Sequence, residues 1–255
     1  MSLIIAADNL NVLNPAVAQA LATLNPQPLQ ELARRCEAAG ANPIDINPGF
    51  LAPRHLDRMA FMVAAVQQVT RLRLILDSPS ARVLARGLEV CGQPPILNAC
   101  TLEDDKLRDI LPLAAAHQTD LVLLLLDADS FPAASLEGKI TLALELREHA
   151  LAAGLKDEQL IFDPVLPNLS WPDAWDQTRE TVKTVRLLAT GAVWSKPARS
   201  MAGLSNLRSG LRHTYPVRLE EAALGVLAGA GLDIVLVDVL QPGLLETVRL
   251  INQMG

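Results

Sequence analysis

The sequence predicts a single-domain (β/α)8 TIM barrel spanning residues 1–255. Three observations lead there. Short apolar runs alternate with helix-like stretches along the whole chain, eight of each. The runs are continuously apolar rather than alternating, which suits parallel strands covered on their outer face. The length, 255 residues, is ordinary for such a barrel. A doubly wound open sheet is the competing arrangement, but no Gly-x-Gly-x-x-Gly follows the first run.

The elements follow in order. Leu3–Ala7 is the first strand, and 9–26 reads as a long connection before its helix. Pro28–Gly40 carries Leu29, Leu32, Ala33 and Cys36 at helical spacing, with Gly40 as the stop signal. The later strands are Pro43–Asn47, Leu72–Asp77, Pro95–Asn98, Asp120–Leu126, Gln159–Asp163, Met201–Leu204 and Asp233–Val237. The helices after them are Pro53–Thr70, Ser80–Cys91, Glu103–His117, Leu136–Ala153, Asp173–Leu188, Pro216–Ala230 and Leu244–Gln253. No linker, low-complexity segment or internal repeat interrupts the series.

Composition narrows the function. Half the residues are apolar and 20% are charged, so the chain is globular. The net charge of −6 and the lack of a basic cluster argue against nucleic acid or an anionic membrane surface as partner. Cys36, Cys91 and Cys100 have no C-x-x-C spacing, which suggests reduced thiols in a cytoplasmic protein rather than disulfides or zinc ligands. The N-terminus lacks the basic and apolar regions of a secretory signal, and Leu121–Leu126 is too short to span a bilayer.

Asp45, Asp77, Asn98, Asp163 and Asn206 each close or follow an apolar run, on strands two, three, four, six and seven. Burial without partners costs several kcal/mol, so such groups are poorly placed for a core. They suit the mouth of a barrel, where strand C-termini converge. Asp127 and Asp238 are expected there too, from strands five and eight. Several carboxylates can hold a divalent cation, but no histidine lies near a strand end, which weakens a transition-metal site; no metal is expected. A carboxylate ring repels phosphate. A flat heterocycle rich in N–H groups fits best, because carboxylates accept from N–H donors and asparagine both donates and accepts. A pterin has that edge: its 2-amino group and N3–H can fork onto one carboxylate, at about 1.5–3 kcal/mol for each bond to a charged group.

Asp45-Ile46-Asn47-Pro48-Gly49, Leu76-Asp77-Ser78, Asn98, Asp163-Pro164 and Gly203-Leu204-Ser205-Asn206, taken in order, resemble the pterin-binding methyltransferases, and most of all the methyltetrahydrofolate:corrinoid protein methyltransferases. The resemblance covers nearly the whole chain. It implies a barrel that binds methyltetrahydrofolate, or tetrahydrofolate in reverse, as substrate, and a separate corrinoid protein that carries cobalamin. It also implies a homodimer. By the same resemblance, Asp77, Asn98 and Asp163 bind the pterin, Asn206 reaches toward N5, and Asp45 and Asn47 lie closer to the reacting side. Asn206 and Asp45 are the catalytic candidates, and Asn47 and Asn206 are further pterin contacts.

The chain departs from the family at two places. Ala6-Ala7-Asp8-Asn9 stands where a Gly-Glu-Arg-Ile-Asn segment is usual, leaving Asn9 or Asn11 as substitutes. Leu207-Arg208-Ser209 stands where Val-Ser-Gln is usual. Two other functions compete. Dihydropteroate synthase shares the pterin pocket but resembles a different pattern, with a lysine after strand seven and a late Arg-x-His for diphosphate; here Asn206 and Asp238-Val239-Leu240-Gln241 occupy those places. A non-catalytic pterin-binding barrel is the other. Local roles compete as well: Asp45, Asn47 and Asp77 as helix caps, Asp163-Pro164 as a turn, and Asp127 as a loop carboxylate. The histidines, His213 near the mouth included, read as surface groups, and Trp171, Trp175 and Trp194 as packing or rim residues.

Overall fold

A computed structural model describes residues 3–209 and 218–254. Eight parallel strands close into a barrel in sequence order: β1 (Ile4–Asn11), β2 (Ile44–Asn47), β3 (Leu74–Asp77), β4 (Ile96–Cys100), β5 (Asp120–Leu124), β6 (Leu160–Asp163), β7 (Arg199–Gly203) and β8 (Ile234–Val237). β8 returns to pair with β1, so the barrel has no open edge. The helices are α1 (Pro15–Thr23), α2 (Gln27–Ala39), α3 (Asp57–Gln67), α4 (Ala81–Leu88), α5 (Asp104–His117), α6 (Leu136–Ala152), α7 (Ala174–Thr190), α8 (Arg218–Ala230) and α9 (Pro242–Met254). None of the described helices is long and apolar enough to cross a membrane.

Every expected strand is present, with ends shifted by a few residues. The connection expected over 9–26 is the correction. β1 runs on to Asn11, and Pro15–Thr23 is a helix. Asn14 caps it by accepting the Ala16 N–H at 3.0 Å, with Pro15 at the first helical position. The residues that read as a loop are the helix's start signal. The start of the helix expected at Pro216, and His213, lie outside the described residues.

The strands have two buried faces. Leu74, Leu76, Leu121, Leu123 and Phe162 face the helices, in a core shared with Leu29, Met59, Leu84, Ile110 and Leu146. Ala6, Ile75, Ile96, Val122, Ile161, Met201, Ile234 and Leu236 form a separate cluster that fills the barrel. Below it, at the N-terminal ends of alternate strands, Asp120 of β5 accepts from Arg73 just before β3 and from Arg199 of β7, each at 2.9 Å. That ionic plug closes the floor and leaves the C-terminal mouth open.

Candidate active site

Side chains on a strand alternate between faces, so the inward position after each apolar filler lies two residues on. From Ala6 that is Asp8, from Ile75 Asp77, from Ile96 Asn98, from Ile161 Asp163 and from Leu236 Asp238. The polar ring is thus the next layer above the apolar plug. Register sets the neighbours: Asp77 stands beside Asn98, and Asp45 stands opposite Ile75, one level deeper. Asp45 is therefore 1% exposed, whereas Asp77 and Asn98 are partly open.

These groups share one cavity of about 1040 Å³ at the mouth. Asp45, Asn47, Asp77, Asn98, Asp163, Asn206 and Asp238 all line it. Asp127 does not. Its carboxylate accepts the Asp129 and Phe131 N–H groups at 2.9 Å and holds its own loop together. β5 ends at Leu124 and supplies that apolar residue to the wall instead. Trp194 takes the packing role of the two expected for it, not the rim. It stacks on Phe162 at 4.9 Å and takes Arg147 over its ring, beside Asp157, Glu158 and Arg199 at the opposite end of the barrel.

Most of the ring is held in place by its neighbours. Asn47 donates to Asp77 at 2.7 Å and accepts the Gly49 N–H at 2.9 Å. Gly49 has φ +71, and a Cβ there would meet Val12 at 2.6 Å, so glycine is required for the close return. Asp163 accepts the Val165 N–H at 2.8 Å. The Asn206 side chain lies over Gly203, whose position would place a Cβ 3.6 Å from Nδ2. Strand one contributes Asp8, which the sequence reading passed over. Asn9 and Asn11 border the cavity, but Asn9 is committed to Asp238 and to the Val239 N–H, and Asn11 accepts the Leu13 N–H.

The electrostatics follow from crowding acids in a dry space. Burial pushes the Asp77 carboxyl up to about 6, against the Asn47 hydrogen bond. Burial pushes Asp163 up to about 6, against the Val165 N–H and the Lys139 ammonium. Asp8 also rises to about 6, from burial and from Asp238, with a Ser205 hydrogen bond opposing. Asp45 is raised well above the ordinary carboxylate range by burial first, then by Asp77 and Asp8, and one of its oxygens has no hydrogen-bond partner among the described residues. Two cations border the cavity among the described residues. Lys106 pairs with Glu103 and Asp105, and Arg208 with the buried Glu220. Among those residues no cluster of His, Cys, Asp and Glu is arranged to hold a metal.

Sequence reasoning missed Asp8, Lys139 and Glu220. The signal for Asp8 was the two-residue alternation from Ala6. Lys139 and Glu220 sit on the apolar stripes Lys139–Leu142–Ala143–Leu146 and Glu220–Leu224–Leu227 of their helices, where a charge is out of place.

The model of the pterin binding enzyme family matches residues 8–238. The chain belongs to the pterin-binding enzyme family. Within it, the chain is 27% identical over 170 residues to a methylcorrinoid:tetrahydrofolate methyltransferase of Eubacterium limosum, an alignment covering 66% of this chain and 62% of that protein. The chain therefore spans less than two thirds of that relative. Solved pterin-binding barrels superimpose closely. A Yersinia pestis dihydropteroate synthase bound to a sulfonamide drug gives a TM-score of 0.74 at 17% identity, over 99% of this chain and 93% of that one. The 7,8-dihydropteroate synthase of Vibrio fischeri gives 0.71 at 17% identity, with the same coverage. At such identity these structures show the shared barrel and nothing finer.

Proposed function

We propose that this protein transfers the N5-methyl group between methyltetrahydrofolate and the cobalt of a separate corrinoid protein. One observation carries the reading: Asp77, Asn98 and Asp163 line one cavity as a single polar layer, with Asn206 on its rim. That layer offers ionised acceptors for pterin N–H groups and amides for its oxygen and ring nitrogens. The resemblance of the motifs and the Eubacterium limosum relative support the corrinoid half of the reaction. Leu13 and Phe50, 82% and 95% exposed at the edge of the cavity, give a partner protein an apolar rim to meet.

Breaking the bond from N5 to methyl leaves a poor amine leaving group, so N5 must gain a proton or positive character as methyl departs. Cobalt in its Co(I) state supplies the nucleophile. The chain's own task is to align the methyl and to stabilise charge at N5. Asn206 turns its amide oxygen toward the N5–H that forms. Asp45 is a buried carboxyl raised well above the ordinary carboxylate range, by burial first, which gives the site a candidate proton donor the sequence alone did not offer. Asn47 acts on the pterin through Asp77, which it orients.

The dihydropteroate synthase reading asks for a diphosphate site. The cations bordering the cavity among the described residues are already paired with acids, so that site has little support. The deciding experiment incubates the protein with methyltetrahydrofolate and Co(I) cobalamin and follows the visible spectrum. Methylcobalamin formation supports the proposal. Folate binding without it leaves the non-catalytic barrel, and dihydropteroate formation from its own substrates establishes the rival.

A further inference from the structure

Lys139 lies on α6 with 0% exposure, the largest fully buried side chain of the described residues. Its Nζ donates to the Pro164 carbonyl at 2.7 Å, immediately after Asp163. The turn it grips is strained: Val165, a β-branched residue, has φ +60. Three bonds hold that turn. The Val165 N–H reaches Asp163, Lys139 takes the Pro164 carbonyl, and the Thr181 hydroxyl of α7 donates to the Val165 carbonyl at 2.9 Å. A neutral donor would tether the loop equally well. A buried ammonium is a demanding choice, because desolvation alone penalises it heavily.

We propose that Lys139 is a positioning residue for Asp163, fixing the turn that aims the carboxylate into the cavity and keeping that carboxylate ionised for the N–H edge of a pterin. The inference rests on the pterin-binding role assigned to Asp163 under Proposed function. Charges around the pair are few. Lys139 from α6 is the charged side chain that lowers the Asp163 carboxyl, against burial. Lys139 in turn is pushed down to about 8 by burial, with Asp163 and Glu180 of α7 opposing. So near neutral pH the lysine is charged, and its field adds to the Val165 N–H in countering burial at Asp163.

The test is calorimetric titration of the native protein, Lys139→Met and Thr181→Val with 5-methyltetrahydrofolate across the neutral range. Native affinity falls as pH drops through about 6, where Asp163 and Asp77 take up protons. In Lys139→Met that acid limb moves up by about 1 pH unit or more, since the neighbouring cation is gone. Thr181→Val removes a tether of the same turn without touching charge, so it lowers affinity and leaves the midpoint in place. Equal midpoints in native and Lys139→Met overturn the proposal, as does a shift of equal size in Thr181→Val. Should Lys139→Met fail to fold, Lys139→Gln decides: it keeps a donor for the Pro164 carbonyl and removes the charge, so its acid limb must move up, and a native midpoint there overturns the role. A native protein that binds no folate at any pH defeats the underlying pterin reading, and this inference with it.

Discussion

Asn47 of β2 donates its side-chain amide to the Asp77 carboxylate of β3 at 2.7 Å, across adjacent strands. One motif residue therefore aims another, and the Gly49 N–H returning to Asn47 at 2.9 Å fixes the aim. Asn47→Ala should weaken methyltetrahydrofolate binding about tenfold, the equivalent of one lost hydrogen bond to a charged group. Isothermal titration checks this. Unchanged affinity would mean that Asp77 needs no orienting partner.

Asp163→Asn replaces the acceptor with a neutral amide. Binding should drop by about tenfold or more at neutral pH. The acid limb near 6 should also flatten, because one of the carboxyls that titrate there is gone. A variant that keeps the native pH profile would place the pterin's N–H edge elsewhere.

Asp45 sets a pH signature on stability. Its folded carboxyl is raised above the unfolded value of 3.8, so its contribution is fully present below that value and is lost as pH rises through the raised folded pKa. Asp45→Asn escapes this loss. The variant should therefore gain on the native protein in melting temperature as pH rises, while turning over more slowly. Parallel curves of melting temperature against pH would show that folding leaves the Asp45 carboxyl unshifted.

Asn206→Ala should lower kcat more than it raises KM, because its contact strengthens only as N5 gains charge. Steady-state kinetics with Co(I) cobalamin separate the two. Equal losses in both would make Asn206 a binding residue.

Asp120→Asn breaks the plug beneath the barrel. Arg73 and Arg199 are about a third exposed, so solvent offsets part of the loss, and a destabilisation of roughly 1–2 kcal/mol is expected. Folate affinity should not move, since Asp120 lies at the strand end opposite the cavity. Reduced affinity in a folded variant would contradict that separation of floor and mouth.

The barrel and most of its polar layer were legible because both rest on short-range pattern. Continuous apolar runs marked the strands, and a carboxylate or amide at the end of a run marked the inward layer of the mouth. Asp127 broke the pattern because β5 stops at Leu124, three residues short of it, and turn chemistry claims the carboxylate. Asp8 was missed because β1 continues beyond its apolar stretch, held by pairing to β2 and β8 that no local window contains. Lys139 was visible as a charge on a buried helical stripe, but its meaning depends on Pro164, twenty-five residues away. The raised Asp45 carboxyl was invisible for the same reason: it arises from burial first, then from Asp77 and Asp8 on the strands either side of β2.

A crystal structure with 5-methyltetrahydrofolate bound tests the placement of the ligand most directly. The pterin should lie in the mouth, with its 2-amino and N3–H edge against the ring of Asp77, Asn98 and Asp163 and its methyl open to solvent beside Asn206. A pterin bound outside that cavity, or one whose methyl points down onto Ile75 and Ile96, would contradict it.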